Sequence, residues 1–496
     1  MDALAKKVAS VLALGTLMVM LDLTVTVVAI PRLAESFDSP LSTVQWTTTA
    51  YTLALVAVMP TSAGTIRRFG AKRVYVTALT TFVVGSALAG LAWNIQSLIL
   101  FRAVQGFGGG FLQPVGMTIA LGLVDERHRG QLMGWLGIPL LVGPVLGPTT
   151  GGLLVDHVGW RSLFLLNVPV GAVAIGLALK LFPRSVGAAT ETLDWSALLC
   201  LAPGGALLVF GLAQAGDAGE PFDAGVPAVI GLGLLILFVL RTLRSRRPLL
   251  DLRLLRKRSL ATGSGAMLLV AGAYFGSMMI GPIYIQAVRG DSATTAGMIM
   301  IPQGLTTGVV AQTASRLVDR TDPRRVVWFG ISATIVATTL MTIVLDHDTP
   351  YPVLIGIGIV MGLGIGSTFM PLMTAALRGV DGPDTGPSTT ILTTGNQFAS
   401  AIGAALAATI LTSLFNSRSA VLDGGGMTGV QRLSPDQRAV AAPHLASAVA
   451  DTYLLTLGLL VASMIVALWL PRAVEPSTVS RTAVDDDLEH PLDASR

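Results

Sequence analysis

The stretch VASVLALGTLMVMLDLTVTVVAI, residues 8–30, is a long apolar run that contains one charged residue, Asp22. About 20 consecutive apolar residues are enough for an α-helix to cross a bilayer. A carboxylate at the centre of a membrane helix costs about 2.5–3.5 kcal/mol, so such an acid usually faces a partner or a water-filled path. The stretch predicts a first membrane span in which Asp22 is a functional candidate. The alternative is a carboxyl that is hydrated near the outer interface or simply protonated.

The composition of the chain is that of a multispanning membrane protein. Of its 496 residues, 52% are hydrophobic and 12% are charged, whereas a soluble domain carries about 25% charged residues. The single cysteine, Cys200, excludes an intramolecular disulfide and a cysteine-rich metal or redox site. The five histidines fall in predicted loops or in the tail, which argues against a histidine proton relay inside the membrane. The acidic residues are then the candidates for carrying protons. The sequence shows no nucleophile–base set, metal cluster or phosphate loop, so we expect neither an enzyme nor a nucleic-acid partner.

Fourteen apolar segments, each about 20 residues long, are separated by turn residues or charges. They lie at residues 8–30, 45–66, 74–93, 97–120, 131–155, 161–182, 194–215, 225–243, 261–288, 298–318, 325–345, 351–377, 391–417 and 451–471. The segments within 194–243 form the least regular pair, since Pro203 and two glycines interrupt it. Residues 416–450 are predicted to form a long outer loop.

The loops also predict the orientation of the chain. Most of their Lys and Arg residues fall on one side, and these include the basic cluster at 241–258. Because short cytoplasmic loops hold the positive charge, both termini are predicted to lie in the cytoplasm, with the protein crossing the cell membrane many times. The basic cluster itself is interpreted as an anchor or linker, the alternative being a lipid-headgroup or partner site.

An internal repeat divides the chain into two halves. Residues 67–73, after the second span, resemble residues 319–325, after the tenth, and the glycine-rich run 106–110 resembles 362–366 at a similar offset. The predicted organisation is a six-helix half at 1–185, an inserted helix pair with a basic linker at 186–250, a six-helix half at 251–472, and a disordered acidic cytoplasmic tail at 473–496. Two such halves predict a central cavity about which they rock.

Span five carries a periodic small-residue face. Gly143, Gly147 and Gly151 recur every fourth residue, and Pro144 and Pro148 follow the first two of them. Such a face lets helices approach closely, and prolines beside it bend the helix. Tight packing alone explains the glycines, whereas two prolines in phase with them favour a hinge or seal.

These residues resemble the antiporter motif of the major facilitator superfamily, which continues here to Gly151-Gly152. Further stretches resemble motifs of that superfamily's fourteen-span drug:proton antiporter family: Leu21-Asp22-x-Thr24-Val25 in the first span, Arg102-Ala103-Val104-Gln105-Gly106 in the fourth, Trp160-Arg161 with Phe164, Asn167, Pro169 and Gly171, and Asp194-Trp195 at the inserted pair. The resemblance covers nearly the whole chain. It implies an all-α integral membrane protein with two six-helix halves plus the inserted pair, and proton-driven export without enzymatic activity.

The resemblance also implies roles for individual residues. In the family the arginine at position 102 of this chain is implicated in proton transfer. The cytoplasmic gating loops correspond to Arg68, Gly70, Lys72 and Arg73 in the first half and to Asp319 and Arg320 in the second. The chain departs from the family pattern at four positions: Val27 replaces the usual asparagine, Ala63 a glycine, Arg67 an aspartate and Asn396 an arginine that many relatives have. In the family this aspartate helps to hold the two halves together on the cytoplasmic side, so its replacement by Arg67 puts that contact in doubt.

Asp22 and Arg102 are the predicted proton-coupling pair, because an intramembrane arginine needs a partner and Asp22 is the one acid deep in a span. The alternative is a static ion pair. The candidate lining of the substrate cavity consists of Thr24, Trp46, Tyr51, Gln105, Gln113, Asn396 and Gln397.

The predicted function is proton-coupled export of hydrophobic or amphipathic small molecules by alternating access. The expected partners are the small-molecule substrate, protons and the lipid bilayer. No metal or cofactor is expected, since the proton gradient supplies the energy, and the protein is expected to be a monomer. Two alternatives stay open: a dedicated exporter of one endogenous metabolite, and a non-transporting receptor or scaffold on the same fold.

Overall fold

A computed structural model describes most of the chain. The described residues are 2–39, 41–123, 150–155, 157–183, 195–214, 221–245, 250–318, 321–380, 384–418 and 433–471, with single positions at 132, 135, 136, 139, 143, 147, 248 and 430. Every regular element in these ranges is helical. The predicted acidic tail at 473–496 lies outside them.

The N-terminal half is built from long helices of apolar sequence. They are α1 (Ala3–Phe37), α2 (Leu41–Val58), α3 (Ser62–Phe69), α4 (Ala71–Gly90), α5 (Ile95–Leu121), α6 (Arg161–Leu165) and α7 (Asn167–Leu181). The start of α5 is fixed by a capping box, in which Asn94 accepts a hydrogen bond from the backbone N–H of Ser97 and the Ser97 hydroxyl accepts one from the backbone N–H of Asn94. Of the predicted span five, residues 150–155 and several single positions are described as helical.

The C-terminal half repeats this construction. Its helices are α10 (Arg258–Ile283), α11 (Ala293–Val318), α12 (Pro323–Val344), α13 (Tyr351–Gly366), α14 (Phe369–Leu377), α15 (Thr385–Arg418) and α16 (Pro435–Leu468). α10 continues into one π-helical turn, Tyr284–Val288, which begins two residues after Pro282. Each half has its own apolar cores, which include Tyr51 and Phe82 in the first half and Tyr284 and Phe415 in the second.

The inserted pair consists of α8 (Trp195–Gln214) and α9 (Pro221–Arg244). The two helices pack so closely that a Cβ on Gly231 would lie 2.7 Å from the carbonyl oxygen of Gly204. α8 touches both halves: the Phe210 ring lies 4.8 Å from that of Trp46 on α2, and the Thr409 hydroxyl on α15 donates a hydrogen bond to the Leu212 carbonyl. α8 therefore lies alongside α2 and α15, and α9 packs on α8.

The helices coincide with the predicted apolar segments, and the helix boundaries fall within a few residues of the predicted ones in most cases. Nine helical segments in the described part of the chain are long and apolar enough to cross a membrane. The total of fourteen membrane crossings stays a prediction. The predicted outer loop at 416–450 is wrong in its second part, because α16 already begins at Pro435. There the Ser434 hydroxyl and the Gln437 side chain form a capping box that starts the helix.

Candidate functional site

Asp22 on α1 and Arg102 on α5 are in direct contact inside the N-terminal half. Arg102 is fully buried and Asp22 is 5% exposed. Arg102 Nη1 donates a hydrogen bond to Asp22 Oδ2 and one of 2.8 Å to Gln105 Oε1, while its Nε donates to the Thr47 carbonyl on α2 at 3.1 Å. Removing one partner of a buried pair leaves an uncompensated charge, so this contact is a strong constraint on how α1 and α5 pack.

The second oxygen of Asp22 is held by two side-chain amides. Gln105 Nε2 donates to Oδ1 at 2.9 Å, and Asn167 Nδ2 on α7 donates to the same atom at 3.3 Å. Asn167 is itself placed by Ser86 on α4, whose hydroxyl accepts from Nδ2 at 3.1 Å and donates to the Phe164 carbonyl. The carboxylate thus contacts α5 and α7 directly and α4 through one further residue. Hydrogen bonds to an ionised group are about twice as strong as neutral ones.

Aromatic rings cover the guanidinium of Arg102. Its Cζ lies 4.1 Å from the centroid of the Tyr51 ring on α2 and 5.5 Å from that of Phe164. Both aromatic residues are fully buried. A desolvated cation over an aromatic face gains about 2 kcal/mol or more. The rings therefore stabilise the cation on the faces that make no hydrogen bonds.

Glycines on α5 allow this arrangement. A Cβ on Gly106 would overlap the carbonyl of Tyr51, and one on Gly110 would overlap the carbonyl of Leu55. On the other side, a Cβ on Gly85 of α4 would lie 2.7 Å from the backbone of Gln105. Since no side chain separates these backbones, α5 packs tightly against both α2 and α4, and Arg102 reaches Asp22, Thr47 and the Tyr51 ring together.

The glycine face of span five packs on α1 around Asp22. A Cβ on Gly143 would lie 2.6 Å from the Met20 Cβ, and one on Gly147 would overlap the Thr24 hydroxyl. Gly151 continues the same face against Val25. Gly152 faces the other half, since a Cβ added to it would lie 3.2 Å from Thr294 Oγ1 on α11. Pro144 and Pro148 lie outside the described residues.

The first predicted gating loop connects α3 and α4. Gly70 has a φ of +82°, a conformation that favours glycine. Lys72 Nζ donates to the carbonyls of Leu179 and Phe182, at 2.7 and 2.8 Å, and so ties α4 to the C-terminal end of α7. Arg68 and Arg73 are exposed. The second-half residues of the predicted loops, Asp319 and Arg320, lie outside the described residues.

A narrow cavity lies between the halves, one helical turn from the Asp22 cluster. Its walls come from α1, α2 and the turn that follows it, α5 and α15, and the lining residues are Thr16, Val19, Met20, Leu55, Met59, Gly109, Leu112, Gln113 and Gln397. None of the described residues that line it is charged. Neither Gln113 nor Gln397 forms a hydrogen bond with the described residues, so both amides are free to bind a guest or water.

The other cavity candidates lie elsewhere. Tyr51 and Gln105 belong to the Asp22 cluster, Thr24 packs on span five, and Trp46 packs on Phe210 of the inserted pair. Asn396 precedes Gln397 on α15, and its buried Oδ1 has no hydrogen-bond partner among the described residues.

Comparison with known proteins shows which family the chain belongs to. The family model of the Major Facilitator Superfamily matches residues 12–404. The chain belongs to the Major Facilitator Superfamily. It is thus a multi-pass membrane protein of a transporter superfamily.

Among its relatives in the Major Facilitator Superfamily are proteins named for multidrug resistance. The chain is 36% identical over 414 residues to the multidrug resistance protein B homolog of Mycobacterium tuberculosis, which covers 83% of this chain and 77% of the relative. It is 30% identical over 429 residues to the putative multidrug resistance protein MdtD of Escherichia coli, covering 84% and 88%.

Solved structures of other transporters share the fold. A D-xylose-proton symporter superposes with a TM-score of 0.62 at 13% identity, covering 94% of this chain and 96% of the symporter. The human organic anion transporter MFSD10 superposes with a TM-score of 0.57 at 16% identity, covering 93% and 100%. At these identities the likeness supports the fold alone.

Four contacts of this Major Facilitator Superfamily member were missed in the list of candidate site residues. Asn167, Ser86, the Thr47 carbonyl and the Phe164 ring all belong to the Asp22–Arg102 cluster. Asn167 and Phe164 carried a sequence signal, because they are part of the stretch after span five that resembles the family. Ser86 and Thr47 carried none, since small hydroxyl residues are common on membrane helices for packing.

Proposed function

We propose that this transporter is a proton-coupled antiporter that exports hydrophobic or amphipathic small molecules by alternating access. The names of the relatives support drug efflux as the general activity. The buried contact between Asp22 and Arg102 supports proton coupling. Of the described residues, these two are the only charged ones that are buried.

The geometry explains how a proton and Arg102 compete for one carboxylate. Asp22 accepts one hydrogen bond from Arg102 at Oδ2 and two from amides at Oδ1. A proton on Oδ2 would occupy the lone-pair region that Nη1 uses and would remove the charge that attracts the guanidinium. Protonation therefore weakens the contact between α1 and α5, and loss of the proton restores it. This exchange links the charge of Asp22 to helix packing.

Span five supplies the connection to the other half. Its glycines contact Met20 and Thr24, which lie two residues before and after Asp22, while Gly152 contacts Thr294 on α11. A movement of the C-terminal half at Thr294 is therefore passed through span five to the part of α1 that carries Asp22. In the proposed cycle the proton enters from outside, the halves rock, and the proton leaves to the cytoplasm as substrate is exported.

The lining of the cavity matches the proposed substrates in polarity, while its volume of about 10 Å³ in this structure has room for about one water molecule. Its described walls are aliphatic and thioether side chains, one threonine and two amides, and these residues carry no charge. Such walls favour a guest with an apolar body and a few hydrogen-bonding groups. The proposed energy source is the proton gradient without any cofactor, and the proposed state is a monomer with both termini in the cytoplasm.

The test is a substrate-efflux panel in an exporter-deficient bacterial host. Asp22→Asn keeps the shape of the side chain and removes its titratable charge, so we expect the variant to be inserted normally and to lose efflux of every substrate that the wild type exports. Asp348→Asn, the same change at an exposed position between two helices, is the matched control and should retain efflux. Full efflux by Asp22→Asn would contradict the proton-carrier role.

A further inference from the structure

The inserted helix pair shares an apolar core with the C-terminal half. Ala197 and Leu201 on α8 and Phe238 on α9 are buried in one cluster with Leu250 of the following linker and Ile391 on α15. Among the described residues, no such cluster has buried members from both the inserted pair and the helices α1–α7. Burial of apolar side chains therefore stabilises the pair on the C-terminal half.

Two further contacts hold α8 against α15. A Cβ on Gly205 would overlap the ring of Phe398, so this ring fills the space beside the glycine. Near the end of α8, the Leu212 carbonyl accepts the hydrogen bond from the Thr409 hydroxyl. Together with the core at Ile391, these contacts extend over about five turns of α15. The two helices are thus joined along most of the length of α8.

The linker after α9 is also bonded at both of its ends. Arg253 donates hydrogen bonds to the carbonyls of Leu243 and Ser245, at 2.8 and 3.0 Å, and so binds carbonyls at the C-terminal end of α9. Lys257, at the other end of the linker, donates to Asp384 at 2.9 Å, directly before the start of α15. The linker therefore ties α9 to the C-terminal half.

The contact of α8 with the N-terminal half is of a different kind. α8 also packs along α2, and there the rings of Trp46 and Phe210 lie 4.8 Å apart with an angle of 41° between their planes. Among the described residues, no hydrogen bond joins α8 to α2. An aromatic pair is stable in several offset geometries. Its two rings can therefore slide past each other without breaking a hydrogen bond.

We propose that the inserted pair moves as part of the C-terminal half, and that Trp46 slides over Phe210 when the halves rock. Shear between packed helices is a common form of such motion. Phe398 directly follows Gln397 of the cavity wall, so the pair and that wall move together. This inference rests on the proposed alternating access and specifies which helices form each moving body.

The first test measures distances between spin labels on the full-length protein in lipid nanodiscs. The natural cysteine is removed by Cys200→Ala, and label pairs are placed at the exposed residues Leu179 on α7, Leu199 on α8 and Phe329 on α12. Each pair is compared with and without Asp22→Asn, which mimics the protonated acid. We expect Asp22→Asn to shift the Leu179–Phe329 and Leu179–Leu199 distances by several ångströms and to leave the Leu199–Phe329 distance unchanged.

The three distances separate the possible results. A shift in the Leu199–Phe329 distance would overturn the inference, because the pair would then move with the N-terminal half or by itself. If the Leu179–Phe329 distance stays constant, the proposed link between Asp22 and rocking is contradicted, and this inference falls with it. The labelled positions are exposed and lie outside the Asp22 cluster and the cavity, so the labels need no space in the interior.

The second test compares two engineered cysteine pairs in the same background. Trp46→Cys/Phe210→Cys spans the proposed sliding contact. Gly205→Cys/Phe398→Cys spans the fixed contact and is the matched control, since loss of the ring makes room for the new side chain. With a short bifunctional thiol reagent at one pH, we expect Asp22→Asn to change the cross-linking rate of the first pair at least about threefold and that of the second by less than about 1.5-fold. Equal changes for the two pairs, or a larger change for the second, would overturn the inference.

Discussion

Gly147 of span five lies directly against Thr24 on α1, two residues after Asp22, so that a Cβ on the glycine would overlap the threonine hydroxyl. The Thr24 hydroxyl cannot turn away easily, because its one proton is shared between the carbonyls of Met20 and Leu21, at 3.0 and 3.1 Å. The antiporter-motif face is therefore a packed contact with the helix that carries the proposed proton site.

We expect Gly147→Ala to reduce efflux at least tenfold while membrane insertion is retained. The added methyl group must push span five away from α1, and overpacking of this kind costs about 1–3 kcal/mol. The measurement is the initial rate of substrate efflux per inserted protein. Gly176→Ala is the control, since Gly176 on α7 has no atom within 4 Å of its Cβ position. Wild-type rates for Gly147→Ala would show that this contact does not have to be close.

The second prediction concerns the buried pair. Arg102→Ala leaves the Asp22 carboxylate without its counter-ion, and breaking a buried pair in this way costs about 3–5 kcal/mol. We expect the double variant Asp22→Asn/Arg102→Ala to be more stable than Arg102→Ala alone, because no unpaired charge remains. The quantities to compare are the amount of inserted protein and its unfolding temperature in detergent. Equal values for the two variants would argue against an energetically important pair.

The third prediction concerns Asn167, which holds Asp22 from α7. Asn167→Leu removes the donor to Oδ1, and loss of a hydrogen bond to a charged group costs about 1.5–3 kcal/mol. We expect a lower unfolding temperature and a three- to tenfold slower efflux. Ser86→Ala, which leaves the contact between Asn167 and Asp22 in place, should have a smaller effect. A larger effect of Ser86→Ala than of Asn167→Leu would mean that Asn167 acts through α4 and not on the carboxylate.

The contact between Asp22 and Arg102 was predictable from sequence for a simple reason. Charged residues deep in apolar spans are rare and costly, so two of opposite sign in the same half are each other's natural partner. The segmentation into apolar helices was predictable because length and hydropathy set it. The start of α16 was also marked in the sequence, because Ser434 is followed three residues later by Gln437. A search for apolar segments misses this start, since the helix begins before the apolar segment at 451–471.

The position of an uncharged residue on a membrane helix is harder to predict. Tyr51 and Gln105 were assigned to the cavity, but the structure places them on the Asp22 cluster. Whether such a residue faces a cavity or a neighbouring helix depends on the rotation of the helix, which small-residue contacts such as Gly106 against Tyr51 determine. These contacts join distant parts of the chain, and hydropathy contains no information about them.

The last prediction concerns the coupling of transport to voltage, since Asp22 is the only buried acid among the described residues. If one proton enters per substrate exported, a neutral substrate moves one net charge and uses both gradients. At about 2.3 kcal/mol per 100 mV and about 1.4 kcal/mol per pH unit, the sum of about 3.7 kcal/mol supports a gradient of about 500-fold.

A charged substrate changes this balance. A monovalent cation exchanged for one proton moves no net charge, so it uses the pH gradient alone, about tenfold per unit, and export of a dication is opposed by the membrane potential. We therefore expect export of neutral and monocationic substrates and weak export of dications. The measurement uses proteoliposomes in which voltage and pH gradients are imposed separately. Strong dication export that is driven by the pH gradient and insensitive to an opposing potential would require a second proton site, because one proton cannot compensate two charges.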